Sequence, residues 1–306
     1  LTLDFNFTDK QNESMLAKKT ALKNNINHNT ETINDYELIN LIKNFFNNMD
    51  SPTNDGLNNF AVAHFVKKNN SKIMISGVGA DELFGGYPSF KRIPVLNKLF
   101  RFIPKNKFLN NFFKTNILKI LKNSRINTKY SGIFEYARDI DTAFLLQRSL
   151  FLPSEIEEIL SPEIFKLGFE ELNTIENLKN DIKDIREKEL AIMYLEIKHY
   201  LCSKLLRDSD WASMTHSIEM RTPFVDWFFF KKLLPILKSN IKINKQSLLK
   251  CYINKVPKEL FDRKKTGFVI PHRKYLKELS TNKVNYSNPI KDWSLFNYQN
   301  YLNNEK

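Results

Sequence analysis

The sequence predicts an α/β protein: a parallel sheet with flanking helices, followed by a mostly helical C-terminal region. Three observations carry this. Residues 1–7, Leu1-Thr2-Leu3-Asp4-Phe5-Asn6-Phe7, alternate apolar and polar side chains, the period of a half-buried strand. Ile73-Met74-Ile75 is a short apolar, β-branched run that reads as a buried strand. Between them lie stretches of helical apolar spacing, and the order strand, helix, helix, strand points to parallel pairing through right-handed crossovers.

Each element has its own signal. Asn12 to Asn24 carries Met15, Leu16, Lys19 and Leu22 at helical spacing, with Asn12 as candidate cap. Asp35 is the candidate cap of a second helix, in which Leu38, Leu41, Ile42, Phe45, Phe46 and Met49 form one apolar face. Ser51-Pro52-Thr53-Asn54-Asp55-Gly56 is a loop by its turn chemistry. A helix through Phe60, Ala63, His64 and Val66 leads to the strand Lys72–Ile75. After Tyr87 no further strand is expected. Residues 88–122 are basic and aromatic and broken by Pro88, Pro94 and Pro104. From Phe134 to Leu160, and from Ile185 to Leu206, the apolar spacing is helical again. Residues 281–306 are polar and Asn-rich, a tail expected to lie loosely over the surface.

Composition excludes several classes. With 42% hydrophobic residues and 25 phenylalanines among 306 residues, there is ample material for a globular core. No apolar run approaches the roughly 20 residues of a membrane span, and the first residues read as a strand, not a signal peptide. The two cysteines, Cys202 and Cys251, make neither a metal spacing nor a disulfide framework, so a reduced, cytoplasmic protein is expected. The net charge of +13 raises nucleic-acid binding. Yet the lysines are scattered, and no zinc spacing or RNA-binding aromatic motif accompanies them. Solvated surface lysine is the better account.

The densest signal is Ser76-Gly77-Val78-Gly79-Ala80-Asp81-Glu82-Leu83-Phe84-Gly85-Gly86-Tyr87. It follows the second strand and holds four of the chain's 8 glycines. Glycine lets backbone approach a ligand closely and adopt positive φ. Free N–H groups at such a turn suit phosphate, and adjacent carboxylates suit Mg²⁺. The residues by themselves therefore read as a nucleotide–metal loop at the carboxyl end of a strand, or as a tight strand-to-helix turn with exposed acids. A dinucleotide fingerprint would need glycine where Glu82 stands, and a P-loop would need Gly-Lys-Ser/Thr.

This loop resembles the signature Ser-Gly-x-Gly-x-Asp-Glu-x-Phe-Gly-Gly-Tyr of the asparagine synthetase family, in its ATP-dependent synthetase domain. Two later stretches are similar to that family in the same order. Leu206-Arg207 to Asp210, Ser213-Met214 and Glu219 to Asp226 follow Leu-Arg-x-x-Asp-x-x-Ser-Met … Glu-x-Arg-x-Pro-Phe-x-Asp. Arg263 to Phe268, with Pro271 beyond, follows Arg-x-Lys-x-Gly-Phe. The resemblance covers most of the chain and is weakest in residues 88–200. It implies the adenine nucleotide alpha hydrolase-like fold of PP-loop ATPase type. Residues 1–87 would be a partial nucleotide-binding core, and residues 88–280 the helical remainder of the synthetase domain.

The resemblance also implies roles. Leu3, Ser76, Gly77 and Gly79 would border ATP. Asp81, with Glu82 beside it, would bind Mg²⁺. Lys265 would neutralise charge at the α-phosphate while a small carboxylate, aspartate or a related acid, is activated as an acyl-adenylate. Ammonia derived from glutamine would convert the adenylate to an amide. Gly85, Gly86, Tyr87, Arg207 and Asp210 are candidates for the substrate side. Taken alone, Lys265 reads as a surface lysine, Glu82 as structural, and Arg207 and Asp210 as an i,i+3 pair. Glu219 and Arg221 would hold the turn that contains them, and His64 and His216 read as packing residues. A homodimer is one assembly open to such a chain.

Three departures from the family shape the expectation. The family's Ser-Gly-Gly-x-Asp-Ser pyrophosphate loop is not in these residues. Nor is its glutamine-hydrolysing domain with an N-terminal cysteine. Val78 stands where the family has glutamate. The chain is therefore expected to be part of a longer polypeptide and inactive alone. Two alternatives stay open: a non-catalytic scaffold of the same fold, and an amidotransferase acting on a sugar acid or other carboxylate in surface-polymer synthesis.

Overall fold

Among the described residues four short strands pair in parallel, two by two. β1 (Thr2–Phe5) runs beside β2 (Thr30–Ile33), and β3 (Ile73–Ile75) beside β4 (Glu219–Arg221). The structure, a computed structural model, describes residues 1–5, 13–104, 106–122, 127–239, 243–262 and 288–304. It divides into two compact units, one of residues 1–86 with 201–306, the other of residues 87–200. The helical remainder expected after residue 87 is thus split: only its first part stands as a unit of its own.

In the first unit, α1 (Glu13–Lys23) links β1 to β2. The helices α2 (Asp35–Asn48) and α3 (Gly56–Lys68) link β2 to β3. The cap of α2 is Asn34, not Asp35. Asn34 accepts from Glu37 N at 2.9 Å while Glu37 Oε2 accepts from Asn34 N at 3.3 Å, a reciprocal capping box. Asp35 falls in the first turn, where its charge suits the helix dipole. The expected apolar face is buried whole: Leu38, Leu41, Ile42, Phe45, Phe46 and Met49. Phe45 is fully buried and meets Phe46, Phe60 and Trp211 at ring distances of 5.2, 5.8 and 5.6 Å. Removing each such side chain from water is worth about 1.5–3 kcal/mol. The candidate cap Asn12 lies outside the described residues.

Two strands escaped the sequence. In β2 only Ile33 is buried, so no period-2 pattern exists to read. β4 is Glu-Met-Arg, with both charged side chains outward and bonded to each other at 2.8 Å. A three-residue strand that points charges at water looks like loop. β3 also differs from expectation. Ile73 and Ile75 are 44% and 77% exposed, and among the described residues they line a cleft.

The second unit is helical. A short α4 (Ala80–Leu83) precedes it, and α5 (Ser89–Phe100), α6 (Lys107–Lys122), α7 (Ile133–Tyr136), α8 (Ile140–Arg148), α9 (Pro153–Ile159), α10 (Pro162–Leu172), α11 (Thr174–Ile182) and α12 (Lys188–Leu195) follow. Pro94 sits inside α5 and does not end it. Ile93 just before it and Asn97 one turn further on are both buried. The Asn97 amide donates to Arg138 O at 2.5 Å, and its Oδ1 accepts from Lys188 at 2.6 Å. Those tertiary contacts outweigh one lost backbone bond. Ile93, Phe144, Leu178, Ile192 and Leu195 form one core cluster, and Tyr136, Leu146 and Leu152 part of another.

A π-helical stretch, Glu196–Leu206, leads back to the first unit. There α13 (Arg207–Met214), β4, α14 (Trp227–Lys238), α15 (Lys245–Cys251), α16 (Glu259–Asp262) and α17 (Pro289–Asn304) complete it. Residues 289–304 are no loose tail: Trp293 is 1% exposed and packs 5.8 Å from Phe46. The polar composition hid a helix anchored by Trp293, with Phe296 and Tyr301 also packed on the core. Among the described residues no helix is long and apolar enough to cross a membrane.

Candidate functional site

The glycine-rich loop grows directly out of a strand ladder. Ser76 N donates to Arg221 O at 2.8 Å, extending the β3–β4 pairing by one bond. Two of the motifs singled out in the sequence are therefore physical neighbours, joined backbone to backbone. Val78 N donates to Ser76 Oγ at 3.3 Å, closing the turn. Gly79 then takes φ +96°, and a Cβ there would stand 2.9 Å from Val225 Cγ2. Only glycine satisfies both conditions. Its carbonyl starts α4 by accepting from Leu83 N at 3.1 Å.

Asp81 lies in the first turn of α4, half-buried. The chain folds back so that Gly86 N donates to Asp81 O at 2.8 Å, with Gly85 at φ +63°. A Cβ on Gly86 would overlap the Asp81 carboxylate. Gly85 and Gly86 thus cradle Asp81. Lys245, at the start of α15, places its ammonium 2.9 Å from Asp81 Oδ1. Nothing in the sequence had marked Lys245; a lysine 164 positions away carries no local signal. Glu82 points the other way and is 1% exposed.

A cleft of about 600 Å³ opens beside the loop. Leu1, Asn59, Met74, Ser76, Gly77 and Met220 line it. A Cβ on Gly77 would meet nothing within 4 Å, so the backbone there is open to close approach. Ser76 and Gly77 line this cleft. Leu3 does not: it is 8% exposed, belongs to the core, and lines a different cavity of about 620 Å³ with Leu16 and Ala21.

Other candidates separate. Arg207 pairs with Asp208 at 3.0 Å and not with Asp210, which is exposed. Sequence reasoning passed over Asp208. It is fully buried and accepts from the Thr53 hydroxyl at 2.5 Å, while that hydroxyl also accepts from Gly56 N at 3.2 Å. Asn297 of α17 donates to Thr53 O, and Lys204 pairs with Asp55 at 2.7 Å. Together they tie the loop before α3 to α13 and α17. Glu219 and Arg221 pair with each other, which holds the Glu219 carboxyl below its ordinary range. His216 and His64 stack edge-on at 5.3 Å beside Phe60 and Phe65. Burial pulls His216 down to about 4, and His64 and Lys67 push the same way. Both are packing residues. Tyr87 belongs to the second unit, where it stacks on Arg148. Lys265, with its Arg263–Phe268 neighbours, lies outside the described residues.

Small parallel sheets with flanking helices, a glycine-rich loop beside an open cleft, and a further helical region define an α/β protein of the PP-loop ATPase-like class. The asparagine synthase family model matches residues 1–300, and the chain belongs to that family. It is also similar to asparagine synthetase (glutamine-hydrolysing) 1 of Bacillus subtilis strain 168, 26% identical over 269 residues. That match takes in 86% of this chain and 41% of the relative, so the chain spans less than half the relative's length.

Proposed function

We propose that this chain forms the nucleotide side of an ATP-dependent, amide-forming ligase. The observation that carries the reading is the β3–β4 ladder, which joins the Ser76–Glu82 loop to the Glu219–Phe224 segment at the edge of an open cleft. Family membership makes ATP the expected co-substrate. Ser76 and Gly77 border its adenosine part, and their open backbone lets the nucleotide approach.

Asp81 suits a cation. Its carboxylate is fixed by the glycine cradle and already holds the Lys245 ammonium. Mg²⁺ is commonly held by one or two carboxylates with substrate phosphates completing the shell. When bound, Mg²⁺ would neutralise phosphate charge. Asp81 would orient it, with Lys245 yielding its place, and buried Glu82 would hold the turn. Lys265 would meet the charge that develops as an oxygen of the acid attacks the α-phosphorus and pyrophosphate departs. Ammonia then attacks the acyl carbon, AMP leaves, and an amide results. A glutamine-hydrolysing domain supplies the ammonia, as the name of the Bacillus relative indicates for that protein. Aspartate is the first candidate acid. Val78 favours a second reading, in which the amidated acid is a different carboxylate: a valine side chain can neither ionise nor hydrogen-bond. The two cysteines are free, which fits a cytoplasmic setting.

ATP–pyrophosphate exchange by the full polypeptide carrying this domain, run with aspartate and a panel of carboxylic acids, tests the reading. Asp81→Ala is expected to abolish exchange with the circular dichroism spectrum unchanged. Lys265→Ala is expected to lower kcat by orders of magnitude with little change in ATP binding. Undiminished exchange in Asp81→Ala would overturn the metal role, and exchange with no acid in the panel would overturn the ligase.

A further inference from the structure

The second unit holds a cavity that the ligase reading does not use. It has a volume of about 320 Å³, near the lower end of small-molecule pockets at about 300–1,000 Å³. Its charged lining is of one sign: Arg92 from α5, Lys129 from the turn before α7, and Arg148 at the end of α8. Among the described residues no acidic side chain lines it. Tyr87, Tyr130 and Gln147 contribute polar and aromatic surface.

Arg148 is held rigidly. Its guanidinium lies 4.0 Å from the Tyr87 ring centre and 3.8 Å from that of Tyr200. Its Nε and Nη2 reach Glu196 Oε2 at 2.7 and 2.5 Å, and Glu196, with no exposed surface, also accepts from the Ser89 hydroxyl. Burial works against the Arg148 charge, but the bond and charge of Glu196 outweigh it and raise its pKa. This clamp fixes one wall. The opposite wall is looser. The Tyr130 hydroxyl lies 3.4 Å from Arg92 Nη1 and 3.3 Å from Gln147 Oε1, both at the long limit for a hydrogen bond. Among the described residues Gln147 Nε2 is buried with no hydrogen-bond partner. A buried, unmade donor costs about 1–3 kcal/mol. Lys129 donates to Gln147 O at 2.8 Å and Ser149 O at 3.1 Å, which holds its charge at the rim.

We propose that this cavity is a binding site for a small organic anion. The anion's carboxylate or phosphate would take the Arg92 guanidinium, with Lys129 adding charge and the Tyr130 ring flanking its body. Arg pairs with carboxylate and phosphate in a planar fork. The site lies wholly within residues 87–200 and does not depend on the nucleotide reading.

Isothermal titration of the protein with inorganic phosphate and, separately, with succinate at matched ionic strength tests it. The expected result is saturable binding of at least one probe, weakened at least tenfold by Arg92→Gln and by Lys129→Gln. The probe that binds more tightly identifies the ligand as phosphate or carboxylate. Arg92 is exposed, so its replacement leaves folding intact even if Lys129→Gln does not. Lys91→Gln, exposed and outside the lining, should leave the affinity unchanged. No saturable binding of either probe, or binding that Arg92→Gln leaves intact, overturns the site.

Discussion

The two units of this protein keep their information in different places. In the first, meaning is concentrated: a loop of eleven residues, 76–86, a strand of three and a cradle of two glycines carry the candidate chemistry. In the second, it is spread over helices whose cores are ordinary apolar packing, and the distinctive feature is one arginine clamped between two tyrosines. A motif unit reads out through positions where only one residue fits. A helical unit reads out through averages, and its pockets appear only once the helices are assembled.

The sharpest way to break this contrast is to injure each unit separately. Phe45→Ala removes a fully buried ring from the first unit, with an expected loss of about 3–5 kcal/mol. Glu196→Ala strands Arg148 in the second, at a similar cost of about 3–5 kcal/mol for a broken buried pair. All 3 tryptophans lie in the first unit, at positions 211, 227 and 293. In urea, Phe45→Ala should move the tryptophan fluorescence transition. Glu196→Ala should move the far-UV circular dichroism transition and leave the fluorescence midpoint in place. Coincident shifts in both variants would show one cooperative unit and dissolve the comparison.

A smaller effect sharpens the motif side. Gly79→Ala forces a side chain into a positive-φ position against Val225, an expected cost of about 1–3 kcal/mol. Nucleotide affinity should fall with it, whereas Gly168→Ala in α10, where a Cβ meets nothing within 4 Å, should be tolerated. The smallest effect is on pH. His216 ordinarily titrates near 6.5, and burial lowers it to about 4 in the fold. As pH falls through 6.5 the unfolded chain takes up the proton first. The stability is therefore complete above 6.5 and is lost as pH drops toward 4. Melting temperatures from pH 7.5 to 4.5 should show a shallower decline for His216→Leu than for the parent, and equal slopes would remove His216 from the acid response.

Much of the first unit was legible because its signals are local. The six-residue face of α2, the Gly79 turn and the Asp81 position all follow from residues a few places apart. What stayed hidden is non-local or too short. β2 and β4 bury too little to show a period, and the Asn34 cap was overlooked beside Asp35. Asp208 passed as an unremarkable neighbour of Arg207 because its partner Thr53 lies 155 positions away. Lys245 on Asp81 belongs to the same kind. In the second unit spacing shows helix only within residues 134–160 and 185–206; the helices at Ser89–Phe100 and Lys107–Lys122 lie in a stretch that its prolines made look broken, and packing about Ile93 and Asn97 overrides Pro94. The Arg148 clamp joins residues from 87 to 200 and had no sequence signature at all.

The β3–β4 ladder also constrains how the chain folds. It pairs residue 73 with residue 219, so the whole of residues 87–200 lies inside the loop it closes. The entropy lost on closing a loop rises with its length, and contacts distant in sequence form slowly. The helical unit, rich in local contacts, should therefore collapse first and shorten the effective loop, with the ladder among the last contacts made. The strand pair that positions the candidate nucleotide site would then be the step that completes the fold, and the site would come into being only when folding ends.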